Sequence, residues 1–224
     1  MNQGMKTCII ANSPAFDLNC AMTHIAGSDL VIATDGAANR LPSDCAPHII
    51  CGDFDSLDLS VVRERFPLAE LSHSTCQDTN DLEKCIVLAI ARGASEIAIS
   101  CAMGGRIDQT ATTLSIVERY HKEVRIVLHD DGRTCRVVSG SQSNEGRISL
   151  TVVSGDTISL VPRGDGALVS LVNVRWPLSC ERLVAGSRGV SNEATDSIVS
   201  LTVHEGVVFF FHAPREVSNP KPLA

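Results

Sequence analysis

The run Cys51-Gly52-Asp53-Phe54-Asp55-Ser56 sets two aspartates one residue apart, directly after the apolar stretch Pro47-His48-Ile49-Ile50. Strand side chains alternate in direction, so Asp53 and Asp55 emerge on one side of the chain if extended geometry persists that far. Two carboxylates this close repel each other. Keeping both ionised in a partly buried place calls for a countercharge, and a divalent metal is the strongest local kind. An isolated Asp-x-Asp also occurs in solvated loops, helix caps and calcium loops. The calcium loop fails here, because it needs an acidic or amide residue at position 57 and glycine at 58, where the chain has Leu57 and Asp58.

Three further clusters bear on the pair. Thr34-Asp35-Gly36-Ala37-Ala38-Asn39-Arg40-Leu41 follows the apolar run Leu30-Val31-Ile32. It reads either as a helix cap or as a site in which Gly36 lets the backbone approach a ligand. Gln77-Asp78-Thr79-Asn80-Asp81 opens a helix whose apolar stripe is Leu82, Cys85, Ile86, Ala89 and Ile90, with Asp78-Thr79 as capping types. Asp81 either stabilises the helix dipole or completes, with Asp53 and Asp55, an oxygen-donor set suited to magnesium; beside two other aspartates the metal reading is favoured. Met103-Gly104-Gly105-Arg106-Ile107-Asp108-Gln109 follows the strand Glu96 to Ser100 and opens a helix with Thr113, Ile116, Val117 and Tyr120 at helical spacing. Its diglycine offers the bare backbone a phosphate requires, and Arg106 can grip phosphate oxygens as a fork rather than form a surface ion pair. Asp108 caps the helix from Gln109, positions a ligand, or does both.

All four clusters follow strands. Short apolar runs at 7–11, 30–34, 48–51, 96–100 and 125–129 alternate with helical spacing, which predicts a Rossmann-like parallel sheet whose carboxyl ends share one edge, where such folds bind ligands. After about residue 131 the pattern changes to β-type runs at 147–153, 156–161, 167–174, 197–203 and 207–211, separated by Gly, Asn, Asp and Ser. The expected organisation is an α/β domain over 1–135 and an all-β sandwich or barrel over 136–224, with a frayed tail from Pro214.

Composition narrows the function classes. At 224 residues and 44% hydrophobic content a sizeable core is available, and with only 4% aromatics it rests on Val, Ile, Leu and Ala. A net charge of −7 with no basic run argues against a nucleic-acid-coating protein. Nine cysteines without Cys-x-x-Cys spacing, no signal peptide at Met1 to Lys6 and no membrane-spanning apolar stretch lead to the expectation of a soluble, cytosolic protein in a reducing compartment. No Walker A sequence and no protein-kinase catalytic loop occurs, so any phosphate site is of another type.

The ordered set Asp-Gly-Ala-Ala-Asn-Arg-Leu, Gly-Asp-Phe-Asp-Ser, Gln-Asp-Thr-Asn-Asp and Gly-Gly-Arg-Ile-Asp-Gln resembles thiamine pyrophosphokinase. Trp176-Pro177-Leu178 and Gly186 to Glu193 resemble that family's carboxyl-terminal thiamine-binding segment. The chain departs from the family at Asn80, where threonine is usual, and at Gln109, where many members have histidine. The resemblance implies transfer of pyrophosphate from ATP to the hydroxyl of thiamine, with AMP leaving and Mg2+ as bridge. It implies catalytic roles for Asp53, Asp55, Asp81, Arg106 and Asp108, and nucleotide contacts by Asp35, Gly36, Gln77, Asp78, Gly105 and Arg106. Thiamine contacts would come from Trp176, Ser191 and Asn192, which otherwise read as a core aromatic and a Ser-Asn turn. A homodimer with active sites shared between subunits is implied as well. Rival readings are a same-fold pyrophosphokinase acting on a hydroxymethyl pterin, a metal-dependent nucleotide-sugar transferase using Asp53 and Asp55, and a nucleotide sensor without turnover.

Overall fold

The structure, a computed structural model, describes residues 4–215, and the chain divides into two compact units at Asp131/Gly132. Apart from Pro214 and Arg215, the tail expected to fray lies outside the described residues.

The first unit is a parallel sheet with helices packed on it. Its strands are β1 (Met5–Ile10), β2 (Leu30–Thr34), β3 (Ile49–Gly52), β4 (Glu70–His73), β5 (Ala94–Ser100) and β6 (Arg125–Asp130). They run in the order β6-β5-β1-β2-β3-β4, every neighbouring pair parallel. The central strands are apolar runs because both faces are covered: Cys8, Ile9, Ile10, Ile32, Ala33, Ile50, Ile97 and Ile99 are fully buried. The helices are α1 (Leu18–Ile25), α2 (Asp35–Ala38), α3 (Leu59–Arg65), α4 (Asp81–Ala91) and α5 (Ile107–Tyr120). The chain leaves β1 toward β2 on one side and returns at β5 on the other, so the strand order reverses between β1 and β5, the point where such sheets open a crevice at their carboxyl edge.

Two caps differ from expectation. Helix α4 is capped by Asn80, whose Oδ1 accepts from the Glu83 amide at 2.9 Å, not by Asp78-Thr79; the Glu83 carboxylate itself accepts from Arg119 and Tyr120. Helix α5 begins at Ile107, and its N-cap Arg106 makes no side-chain cap bond.

The second unit is antiparallel and built on one long strand. Its elements are β7 (Arg133–Gly140), β8 (Gly146–Thr151), β9 (Thr157–Pro162), β10 (Ala167–Val172), β11 (Leu178–Leu183), β12 (Asn192–Glu193) and β13 (Ile198–Ala213), so residues 133–135 belong to a strand of this unit. The first half of β13 pairs with β8 and β10, and β10 with β11; its second half pairs with β7 and β9, and β9 with β12. The runs at 197–203 and 207–211 are thus one strand, bent at Gly206, where φ is 92° and a Cβ would meet the Gly166 carbonyl at 2.5 Å. Side chains from both sheets, among them Leu160, Val169, Leu201, Val208 and Phe210, form one core, which makes this unit a sandwich.

Candidate active site

Strand β3 ends at Gly52 and the chain turns at once. Phe54 has φ of 65°, so extended geometry does not carry through to Asp55. The two carboxylates are instead gathered by a turn in which the Asp55 amide donates to Asp53 Oδ1 at 3.2 Å, while Ser56 Oγ holds Asp55 Oδ1 at 2.8 Å. The third member of the cluster, Asp35, stands just after β2 and opens α2. One oxygen each of Asp35, Asp53 and Asp55 lie within 4.8 Å of one another. Asp35 is 3% exposed and is fixed by two amides, Gly36 to Oδ1 and Phe54 to Oδ2 at 3.0 Å. The left-handed turn at Phe54 aims that second amide, and the Phe54 ring stacks on His73 with centroids 5.1 Å apart.

The electrostatics follow from this placement. Burial pushes the Asp35 carboxyl above its ordinary range; the Gly36 and Phe54 amides pull it back, and the charges of Asp81 and Asp53 push it up again. The Asp55 amide, followed by the positive charge of Lys84 and the Gln77 side chain, holds Asp53 below its ordinary range. Three clustered carboxylate oxygens, one of them buried, form a hard oxygen-donor set that fits Mg2+. Asp81 is outside this three-oxygen cluster. Its Oδ1 pairs at 3.0 Å with Lys84 Nζ, whose side chain is only 7% exposed. Burial opposes the charge on Lys84, but the bond to Asp81 and the charges of Asp81 and Asp53 outweigh it, and its pKa is raised. Lys84 was not singled out in the sequence, although its i,i+3 spacing from Asp81 was a readable signal. Gln77 and Asp78 are exposed in the loop before α4.

A cavity of about 480 Å³ opens at the carboxyl edge where the strand order reverses. Its walls include Asn12 and Ser13 after β1, Asp35 after β2, Asp81 at the start of α4, and Gly104 and Arg106 after β5. It thereby joins Asp35, the buried member of the acid cluster, to Gly104 of the diglycine loop. Gly104 and Gly105 have φ of 84° and 80°, left-handed values that favour glycine. Arg106 does form a surface ion pair, contrary to the sequence expectation: Nε and Nη2 meet Asp108 at 3.1 and 2.6 Å, both side chains well exposed. The pairing holds Asp108 below its ordinary range. An exposed pair of this kind is worth little, so a phosphate can displace it. Asp108 also accepts from the Gln109 amide at 3.0 Å. The loop after β1 carries no motif and was missed.

In the second unit a cavity of about 420 Å³ is lined by Trp176, Leu178, Arg188, Val190 and Asn192 among others. Trp176 is 56% exposed, not a core aromatic. Asn192, 5% exposed, brackets it: Oδ1 accepts from the Trp176 amide at 3.0 Å, and Nδ2 donates to its carbonyl at 2.8 Å. Much of the Asn192 amide is therefore spent on holding the tryptophan. Ser191, with φ of 60°, is exposed and does not line this cavity; its amide donates to Ser159 Oγ at 2.9 Å.

Comparison with known proteins agrees on one family. Residues 22–128 match the model of the thiamin pyrophosphokinase catalytic domain. Thiamin pyrophosphokinase 1 of Caenorhabditis elegans is 27% identical over 191 residues, which cover 80% of this chain and 76% of that protein. Thiamine pyrophosphokinase 1 of Arabidopsis thaliana is 29% identical, covering 67% of this chain and 65% of its own length. The fold matches the crystal structure of thiamine pyrophosphokinase from Bacillus subtilis with a TM-score of 0.79 at 20% identity, covering 93% of this chain and 99% of that one. The yeast structure matches with a TM-score of 0.77 at 16% identity, over 95% and 87%. The parallel sheet followed by a β-sandwich matches the fold of these solved structures. Over residues 22–128, the part that the catalytic-domain model matches, the chain is similar to the thiamine pyrophosphokinase family.

Proposed function

We propose that this chain is a thiamine diphosphokinase, moving the pyrophosphoryl group of ATP to the hydroxyl of thiamine and releasing AMP. The observation that carries the reading is a cavity lined both by Asp35, the buried member of the Asp35-Asp53-Asp55 oxygen cluster, and by Gly104 and Arg106, since a polyphosphate needs both a cation seat and a bare backbone cradle. Asp53, Asp55 and Asp35 would hold Mg2+; Asp81, outside that three-oxygen cluster and paired with Lys84, lines the cavity beside Asp35. Bound Mg2+ supplies charge neutralisation on the transferring phosphates. Arg106 exchanges Asp108 for phosphate oxygens, and Asp108 keeps the guanidinium aimed until the nucleotide arrives. Gly36, Gln77, Asp78 and Gly105 complete the nucleotide's surroundings. The exposed face of Trp176 takes the thiamine ring, with Asn192 as its brace and Ser191 at the margin. Catalysis is then positioning and charge compensation, with the hydroxyl of thiamine brought in line with the β-phosphorus. The enzyme works as a homodimer whose subunits share active sites, in the cytosol, where nine free thiols persist. Among the described residues no helix is long and apolar enough to cross a membrane. The test is incubation with ATP, Mg2+ and thiamine: AMP and thiamine diphosphate should accumulate together, whereas ADP would overturn the reading.

A further inference from the structure

We infer that the loop Asn12 to Phe16 is a second jaw of the nucleotide's phosphate site, and that Arg40 is the residue that positions it. The inference rests on the function proposed above. Arg40 stands just beyond α2, exposed to solvent, yet it reaches three residues of this loop. Its Nη1 donates to the Ser13 carbonyl at 2.8 Å and lies 3.5 Å from Asn12 Oδ1, and its guanidinium lies 4.2 Å from the Phe16 ring centroid. A planar fork that bonds along its edge and stacks on its face fixes a loop in a way a lysine cannot.

The loop is also wedged against two of the sequence motifs at glycines. A Cβ on Gly36 would sit 2.2 Å from Asn12 Nδ2; one on Gly104 would sit 2.8 Å from the Ala15 Cβ, and one on Gly105 2.6 Å from Pro14 Cγ. The diglycine therefore does more than bare its backbone to a ligand: it makes room for the facing loop. The amides of Ala11 and Ser13 donate to the Ser100 and Cys101 carbonyls at 3.0 and 2.9 Å, which extends the β1–β5 pairing into the loop and ties it to the chain leading to Gly104.

Ser13 shows what the loop is for. It is 9% exposed, it lines the cavity together with Asn12 and Pro14, and its hydroxyl has no hydrogen-bond partner. A buried hydroxyl without a partner destabilises the fold unless something outside the chain supplies the acceptor. Across the loop from Gly104 and Arg106, the acceptor of matching chemistry is a phosphate oxygen of a nucleoside triphosphate.

The test compares Arg40→Ala, Arg40→Lys and Ser13→Ala in the full chain, by calorimetric binding of a non-hydrolysable ATP analogue with Mg2+ and by the two KM values. Arg40→Ala should weaken the analogue about tenfold, the scale of one hydrogen bond to a charged acceptor, and leave the KM for thiamine unchanged. Arg40→Lys should recover little of the loss. Ser13→Ala should weaken the analogue by a similar factor while the urea midpoint of the ligand-free protein stays level or rises. Analogue affinities within twofold of wild type would overturn the inference, as would equal losses in both KM values or a lower urea midpoint for Ser13→Ala. If the wild-type protein binds the analogue but yields ADP, the proposed function fails and the role of the loop is still decided by the affinities. If the wild type binds no analogue, both fall.

Discussion

Gly52 is where a single methyl group should separate the geometry of the site from its chemistry. A Cβ at this position would stand 2.8 Å from Asp35 Cγ and 3.0 Å from its Cβ and Oδ2. Carbon atoms pack at about 3.5–4.0 Å, so in Gly52→Ala the Asp35 carboxyl must retreat by roughly 0.7–1.2 Å. The Phe54 amide now donates to Oδ2 at 3.0 Å, and such a retreat takes that bond beyond useful length. Gly52 does not have the left-handed φ that would strain an alanine, so the insult is steric and local. Overpacking at a buried position costs about 1–3 kcal/mol. A misplacement near 1 Å in a positioning group costs on the order of 100-fold in rate. The variant should therefore unfold at lower urea and release AMP about 100-fold more slowly, with the KM for thiamine little changed. Gly27→Ala, where nothing lies within 4 Å of the added methyl, is the control and should behave as wild type. A Gly52→Ala enzyme with wild-type urea midpoint and more than half the wild-type rate would show that the position of Asp35 does not matter.

Lys84→Met should cost about 1–3 kcal/mol by leaving Asp81 without its partner, and the double variant with Asp81→Asn should restore part of that loss; a double-mutant cycle by urea titration checks it, and strict additivity would deny the coupling. Trp176→Ala should raise the KM for thiamine about tenfold or more and leave ATP-analogue affinity alone, and unchanged thiamine kinetics would refute a role in binding. Asp156 gives a pH-dependent expectation. Burial raises its pKa, but the bonds from His212 and from the Val153 and Arg215 amides outweigh that and place it below 3.8. A depressed folded pKa stabilises above the unfolded value and the benefit is lost as pH falls through the folded one. Asp156→Asn should hence be destabilised at pH 7 by about 1–3 kcal/mol, with the gap to wild type closing below about pH 4 in urea titrations at both pH values.

The fold was legible wherever a strand is covered on both faces. The runs at β1, β2, β3, β5 and β6 read clearly because burial on two sides demands unbroken apolar sequence. Strand β4 did not: Glu70-Leu71-Ser72-His73 is an edge strand with both ends exposed, and nothing in its composition sets it apart from a loop. Glu205-Gly206 reads as a turn between two strands, yet Gly206 spends its freedom on a bend within one strand, and only the pairing of both halves with different neighbours reveals that. The start of α4 shifted for a related reason, since several capping-type residues stand in a row before it and Asn80 is the one whose side chain accepts from a first-turn amide.

The candidate site divides along the same line. Asp53 and Asp55 could be singled out from their place after an apolar run, because a strand end exposes whatever follows it. Which acid joins them depends on the neighbours of β3, and the sequence does not write that down. Strand β2 pairs with β3 in the register Thr34↔Cys51, so Asp35 and Gly52 fall side by side, and the missing side chain at Gly52 leaves the space that the Asp35 carboxyl fills. Asp81 arrives on a helix instead, and three residues later the same helix supplies Lys84, which takes up one of its oxygens. The acids therefore differ in what meets them: Asp35, Asp53 and Asp55, each just past the end of β2 or β3, converge through sheet register, while Asp81, on α4, is met first by its own lysine. The loop after β1 was silent for the opposite reason. Its chemistry lies in a carbonyl, an unpartnered hydroxyl and the space above two glycines, and none of these leaves a spacing that a sequence can show.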